Sequence, residues 1–373
     1  MRTRSGRAAA RQRAAGAADN AQVERYVAEA TVSGSWLVRG KDGRLTAYAR
    51  TREGLLRWTE VRPGGPEWTG PVFHAAPDLT HVWVAQGADT YVHFLGRREV
   101  RQGDGPPKVD VVHAIQYQTG RPVTEWRSLG NPHGDREKAA RLGIPVAAVN
   151  PDGIVHVLVR NAGNGVMLRR EQPGGKWGPW TDLKGSCVED PVAVVAHASG
   201  RLETIVGGEG HIMRWVQERP DGDFESTPNI PLAVSRGTVV GLETAPDRAT
   251  YYWTDPATGG IVAHRLGGWV IPLGGAPAED PVAVLRTPLD GYDCTVLAHR
   301  DLEGQVMLAA CGTENEQAGV WWSPTGERCV GSPALASDVY GRVVLAMIGA
   351  DGALHIARQN DEGGLAMAPS VRM

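Results

Sequence analysis

The chain has 373 residues, a formal net charge of −3 and 42% hydrophobic side chains, with 48 Gly, 25 Pro and 12 Trp. That near-neutrality offers no electrostatic footprint for nucleic acid or an anionic membrane, and no apolar run reaches the roughly 18 residues that span a bilayer. Abundant Gly and Pro with recurring Val, Leu and Ile favour many short strands joined by turns.

The chain opens on Arg2, Arg4, Arg7, Arg11 and Arg13 set among Ala and Gly. This is the basic region of an export signal without the apolar stretch that should follow. Residues 1–33 therefore read as a flexible basic N-terminal extension, with a short helix near Val23–Ala30 or a pairing strand over Tyr26–Val32 as its possible elements. On this reading the protein is cytoplasmic or is released without a standard export signal.

From residue 34 onward the chain repeats. Glu189-Asp190-Pro191-Val192-Ala193-Val194 returns unchanged as Glu279-Asp280-Pro281-Val282-Ala283-Val284, and looser copies stand at Ile144-Pro145-Val146-Ala147-Ala148-Val149 and Ser332-Pro333-Ala334-Leu335-Ala336. The spacing fits a unit of roughly 45 residues, the size of a four-stranded propeller blade. Each unit has a Pro-led apolar strand, a turn often built on Asp-Gly (Asp42-Gly43, Asp152-Gly153, Asp290-Gly291), a second apolar strand, a Gly-containing hairpin and a third strand. A polar turn and a Trp-bearing fourth strand close it. Gly and Asn in such turns supply the positive φ that tight hairpins need. Units begin near Ser35, Leu79, Pro145, Pro191, Gly237, Pro281 and Pro333. Residues 34–373 thus read as one all-β domain, a seven-bladed β-propeller of four-stranded antiparallel blades.

Three units depart from the pattern. The second carries a polar hairpin tip at Arg97–Lys108 and a further insertion at Asn131–Gly143, where Asp135–Leu142 predicts a short surface helix. The sixth carries a pair of cysteines. The seventh has a fourth strand over Leu365–Val371 but no Trp there. No unit takes an obvious strand from the other chain end.

The array of Asp-Gly turns, Gly54-Leu55-Leu56-Arg57-Trp58 and Pro63-Gly64-Gly65 before Trp68 resembles the PLL-type and tectonin-like seven-bladed lectins, across about residues 34–373. It is also similar to lectin subunits of actinobacterial umbrella toxin particles. The resemblance implies a non-enzymatic disc with glycan sites near blade boundaries and an aromatic ring against a sugar face. Blade five lacks the Arg-Trp pair, blade six has Ala309-Ala310-Cys311 in its place, and blade seven reads His355-Ile356-Ala357-Arg358.

A sugar presents C–H bonds on one face and hydroxyls at its edge, so recognition needs an exposed ring beside polar groups. Trp58 with Arg57 and Trp215 with Arg214 fit, and Trp68, Trp177, Trp180 and Trp322 complete the candidate set. A repeated Trp more often wedges blades together, since one ring buries roughly 200 Å². Trp321 and Trp322, adjacent in a strand, must face opposite ways. Cys294 and Cys311 flank the hairpin Asp301-Leu302-Glu303-Gly304. A two-residue loop sets them opposite one another, where a disulfide is possible; a bulge at Gly304 slips the register and separates them. Reduced thiols are the default for four cysteines in so long a chain.

No metal or cofactor is implied, because the histidines show no ligand spacing, although His93 and His113 approach across the blade-two hairpin. Glu189-Asp190 and Glu279-Asp280 precede Pro at strand starts, which fits Asp capping the turn better than acid–base work. No catalytic motif is present. The sequence therefore supports a non-enzymatic glycan-binding propeller. An adaptor propeller holding partner proteins in a larger assembly is the alternative, and a hydrolase or lyase in the central channel the third reading.

Overall fold

A computed structural model describes residues 27–373; the arginines of the basic extension lie outside the described residues. Seven four-stranded antiparallel sheets succeed one another along the chain, two of them joined by short extra strands. Their inner strands are Leu37–Arg39, Leu79–Gln86, Val146–Val149, Ala193–Ala196, Val240–Ala245, Ala283–Leu289 and Ala334–Ser337, beside the unit starts the repeat predicts. Inner strands of blades two to seven are successive neighbours, Ser33–Gly34 links blade one to the inner strand of blade two, and the seventh lies beside the first, so the blades close a ring. This is the seven-bladed β-propeller.

Burial explains why the strands read as they do. Every blade is covered on both faces by its neighbours, so second strands such as Val155–Arg160 and Val343–Ile348 are buried almost throughout. They therefore appear as unbroken apolar runs rather than alternating ones. Fourth strands such as Trp68–Ala75 form the exposed rim and return to a mixed pattern.

The blade-two tip is largely strand, because Val92–Val100 and Lys108–Gln116 extend into it. The predicted helix spans Arg136–Ala140, and the Asp135 carboxylate accepts from the Lys138 N–H at 2.9 Å. In blade seven the fourth strand is Val371–Arg372, shorter than the expected Leu365–Val371. Gly363 and Gly364 turn the chain at positive φ, and Met367 makes an isolated bridge to Gln359 before pairing resumes.

Residues 28–33, assigned to the extension by sequence, belong to the ring. Ala30–Thr31 pairs with Arg50 and Ala49 of blade one, and residues 32–36 then bulge out before Leu37 rejoins the same partner strand. Within the bulge Ser33–Gly34 runs parallel to Trp83 and Val84 of blade two. Ala28 donates its N–H to the Gly352 carbonyl of blade seven at 3.2 Å. Ala28, Val32 and Trp36 are buried. Gly34 has φ +77°, and a Cβ there would lie 2.2 Å from the Val84 carbonyl, so the close approach requires glycine.

Among the described residues no strand passes between the first and last segments at the seam of blades seven and one. Side chains hold it together with the Ala28–Gly352 backbone bond. The Arg358 guanidinium reaches Glu60 of blade one, donates to Asp338 at 3.2 Å and to the Gly65 carbonyl at 3.0 Å. Arg342 pairs with Asp338 at 2.7 Å and donates to the Gly64 carbonyl at 2.7 Å. Both carboxylates are fully buried.

The cysteine hairpin takes the bulged form. Gly304 sits at φ +83°, so Cys294 lies opposite Gly312 and Cys311 opposite Thr295. The two sulfurs face opposite sides of the sheet, which corrects the possible Cys294–Cys311 disulfide. All four cysteines are free.

Candidate functional site

The Arg-Trp pairs divide between packing and latching. Trp58 and Trp215 are 2% and 3% exposed, which removes their faces from solvent and corrects their assignment as stacking rings. The Trp215 indole N–H donates to the Leu183 carbonyl of blade three at 2.9 Å, and Trp322 does the same to Leu273 of blade five at 2.9 Å. Trp68, Trp177 and Trp180 are partly buried; Trp177 meets His113 of blade two edge-on at 5.3 Å, and Arg169 lies 5.7 Å above the Trp180 ring. Among the tryptophans, the openly exposed rings are Trp269 and Trp321, at 90% and 84%. Trp321 and Trp322 thus split between solvent and interior, although both precede the strand Ser323–Arg328 rather than lying in one as the sequence suggested.

Arg57 is one of a set of inter-blade latches. Its guanidinium donates to the Arg121 and Gly120 carbonyls in the outer turn of blade two. Arg170 does so to Asp221 of blade four, Arg265 to Glu314 of blade six at 3.4 Å, and Arg358 to Gly65 of blade one. Arg214 instead pairs with Glu203 of its own blade at 3.1 Å. The candidate residues are therefore distributed around the ring rather than gathered into one site.

One repeated role escaped the sequence reading. At the end of the third strand, Gln217 accepts from the Leu202 N–H at 2.9 Å and donates to the Gly222 carbonyl at 2.8 Å, tying the second strand to the outer turn. Gln359 repeats it, and the Glu60 carboxylate makes the same tie by accepting at both ends, from the Leu45 and Gly64 N–H groups. Its signal was the Gln or Glu two residues after Arg57-Trp58 and Arg214-Trp215.

Between blades three and four the rim opens into a groove of about 320 Å³. One wall is the strand pair Val166–Gln172 and Lys176–Lys184; the other is Phe224–Ser226 with the turn before it. Leu168, Phe224 and an edge of Trp215 supply apolar floor, while Gln172, Asp182 and Asp223 supply acceptors and donors at the lip. Lys184 beside Asp182, at 3.0 Å, holds that carboxylate below its usual range. Of the sequence candidates, Trp215 alone lines this groove, and by its edge.

The titratable clusters are committed to structure. His93 and His113 meet at 3.1 Å, and burial lowers them to about 4 and about 3, so both rings are neutral near pH 7. Asp190 forms an ion pair with Arg160 at 2.7 Å, and Asp280 with Arg300 at 2.5 Å, so both aspartates do more than the turn capping expected. His197, Glu243 and Asp247 have ligand atoms within 4.8 Å of one another. Both Glu243 oxygens already accept backbone N–H groups, from Ala198 at 2.9 Å and Asp247 at 3.0 Å. His197 lies between Glu243 at 3.2 Å and Glu203 at 3.6 Å, a clasp across blades four and five. No helix among the described residues is long and apolar enough to cross a membrane.

No family model and no curated protein matches the chain. Among solved structures, the BP39L lectin from Burkholderia pseudomallei superposes with a TM-score of 0.67 at 12% identity, covering 93% of this chain and 100% of its own. AofleA from Arthrobotrys oligospora gives 0.53 at 12% identity over 79% of this chain and 90% of its own. The SapL1 lectin, solved with alpha methyl fucoside, gives 0.50 at 12% identity over 79% and 97%. The chain thus has a propeller fold that lectins use. At these identities the likeness establishes the architecture.

Proposed function

We propose that the protein is a non-enzymatic carbohydrate-binding propeller that takes a sugar in the rim groove between blades three and four. The groove carries this reading, because it joins an apolar floor to a polar lip in the proportions a sugar ring presents. Leu168 and Phe224 accept the C–H face. Asp182 and Asp223 accept hydrogen bonds from hydroxyls, and Gln172 both donates and accepts. The fold neighbours named as lectins, one solved with a fucoside, support the same class of ligand and make neutral deoxy sugars sensible first probes.

The test is a glycan array followed by calorimetry on the full chain. Binding of a neutral glycan, weakened at least tenfold in Asp223→Ala with the thermal midpoint unchanged, is the expected result. Absence of binding across a broad panel by folded protein defeats the reading.

A further inference from the structure

A second cavity stands apart from the groove. It has a volume of about 820 Å³ and occupies the mouth of the central channel, on the face where inner strands begin. Its wall is made by the segments just ahead of the inner strands of blades three to six, with His81 from the inner strand of blade two.

Its charges sort into spent and free. Arg160 and Asp190 neutralise one another at 2.7 Å. Arg97 is held by Glu99 at 2.7 Å and by the Leu142 and Ala140 carbonyls at 3.0 and 3.1 Å. Arg141 and Arg236 remain, both exposed, with no hydrogen bond or ion pair to their guanidinium groups among the described residues. Glu279 is equally unpaired on the same wall, and the Ser235 hydroxyl there has no partner among the described residues. Two unpaired guanidiniums, an unpaired carboxylate and a hydroxyl lining one cavity suit a ligand that carries both an anionic group and hydroxyls.

We propose that the channel mouth binds an acidic sugar unit, its carboxylate taken by Arg141 and Arg236 and its hydroxyls by Glu279 and Ser235. Planar carboxylates match the guanidinium fork, which a simple point charge would not distinguish from other anions. The volume lies within the range of small-ligand sites. Because no residue is shared with the rim groove, this site stands or falls independently of the neutral-glycan reading.

Calorimetry on the full chain with glucuronic acid tests it, with glucose, inorganic sulfate and inorganic phosphate as comparison ligands. Glucuronic acid is expected to bind at low salt, to weaken several-fold in 0.5 M NaCl through screening, and to outcompete the other three. Arg141→Ala with Arg236→Ala should cost at least tenfold, with the thermal midpoint and neutral-glycan binding unchanged, since both side chains are exposed and unpaired. Glu279→Gln should weaken glucuronic acid while leaving inorganic sulfate unaffected. No glucuronic acid binding, equal binding of the inorganic anions, or an unaffected double variant each overturns the proposal.

Discussion

Removing one side chain at the seam of blades seven and one tests how the ring stays closed. Arg358→Met keeps most of the apolar stem and deletes a guanidinium serving two fully buried carboxylates, Glu60 and Asp338. Breaking a buried pair by deleting one partner costs about 3–5 kcal/mol, because the remaining charge is left uncompensated. Asp338 keeps Arg342 at 2.7 Å, and Glu60 keeps the Leu45 N–H at 2.8 Å, so the lower end, about 3 kcal/mol, is expected. That is a factor of ~10² in the unfolding equilibrium at 25 °C. The matched control is Arg300→Met, whose partner Asp280 is 30% exposed and whose loss should stay within about 1 kcal/mol. Urea unfolding followed by tryptophan fluorescence gives the free energies. Amide exchange locates the damage, which should concentrate in Leu45–Arg50 and Val343–Ile348. Equal losses in the two variants, or exchange raised uniformly around the ring, would refute a seam that depends on the Arg358 ion pairs.

Four further outcomes are expected. His197 is held above its usual 6.5 by Glu203 and Glu243 despite opposing burial, so its contribution is complete below about pH 6.5 and fades as pH rises through the folded value; His197→Gln should flatten the thermal midpoint there. Glu203, lowered to about 2 against burial by His197, Tyr251 and Arg214, contributes above its ordinary 4.5, and that share is lost between roughly pH 4.5 and 2 in an acid titration. Native thiol labelling should find Cys187 fast and Cys311 and Cys329 slow, burial having pushed both to about 12, and peptide mapping should find no Cys294–Cys311 disulfide. Gly34→Ala should cost at least about 1–2 kcal/mol in denaturant unfolding, since a positive φ and a carbonyl contact both oppose the new methyl.

The blade pattern was legible because it rests on local chemistry. Pro-Val-Ala-Val at an inner strand and Asp-Gly at a hairpin each act within a few residues, so their recurrence counts the blades. The fate of a given ring was not legible, since exposure depends on which face the neighbouring blade covers. Trp58 and Trp215 stand in the wedge, whereas Trp269, set in an outer turn, is bare. Trp321 and Trp322 do diverge, but in the loop ahead of Ser323–Arg328 and not on the strand that the alternation argument assumed. The cysteine pairing turned on one residue of slip at Gly304, below what spacing resolves. The rim groove was invisible because it joins Gln172 to Asp223 across two blades.

The first and last described segments are tied down in mechanically different ways. Residues 28–34 lie lengthwise across blades seven, one and two, so a pull along them loads several backbone hydrogen bonds together in shear. Val371–Arg372 is the outermost strand of its blade, pairing with Ile356 and His355, and an outward pull there breaks those pairs one after another. Stretched by its ends, the ring would open from blade seven and unravel from the rim inward, while the seam-crossing segment still held.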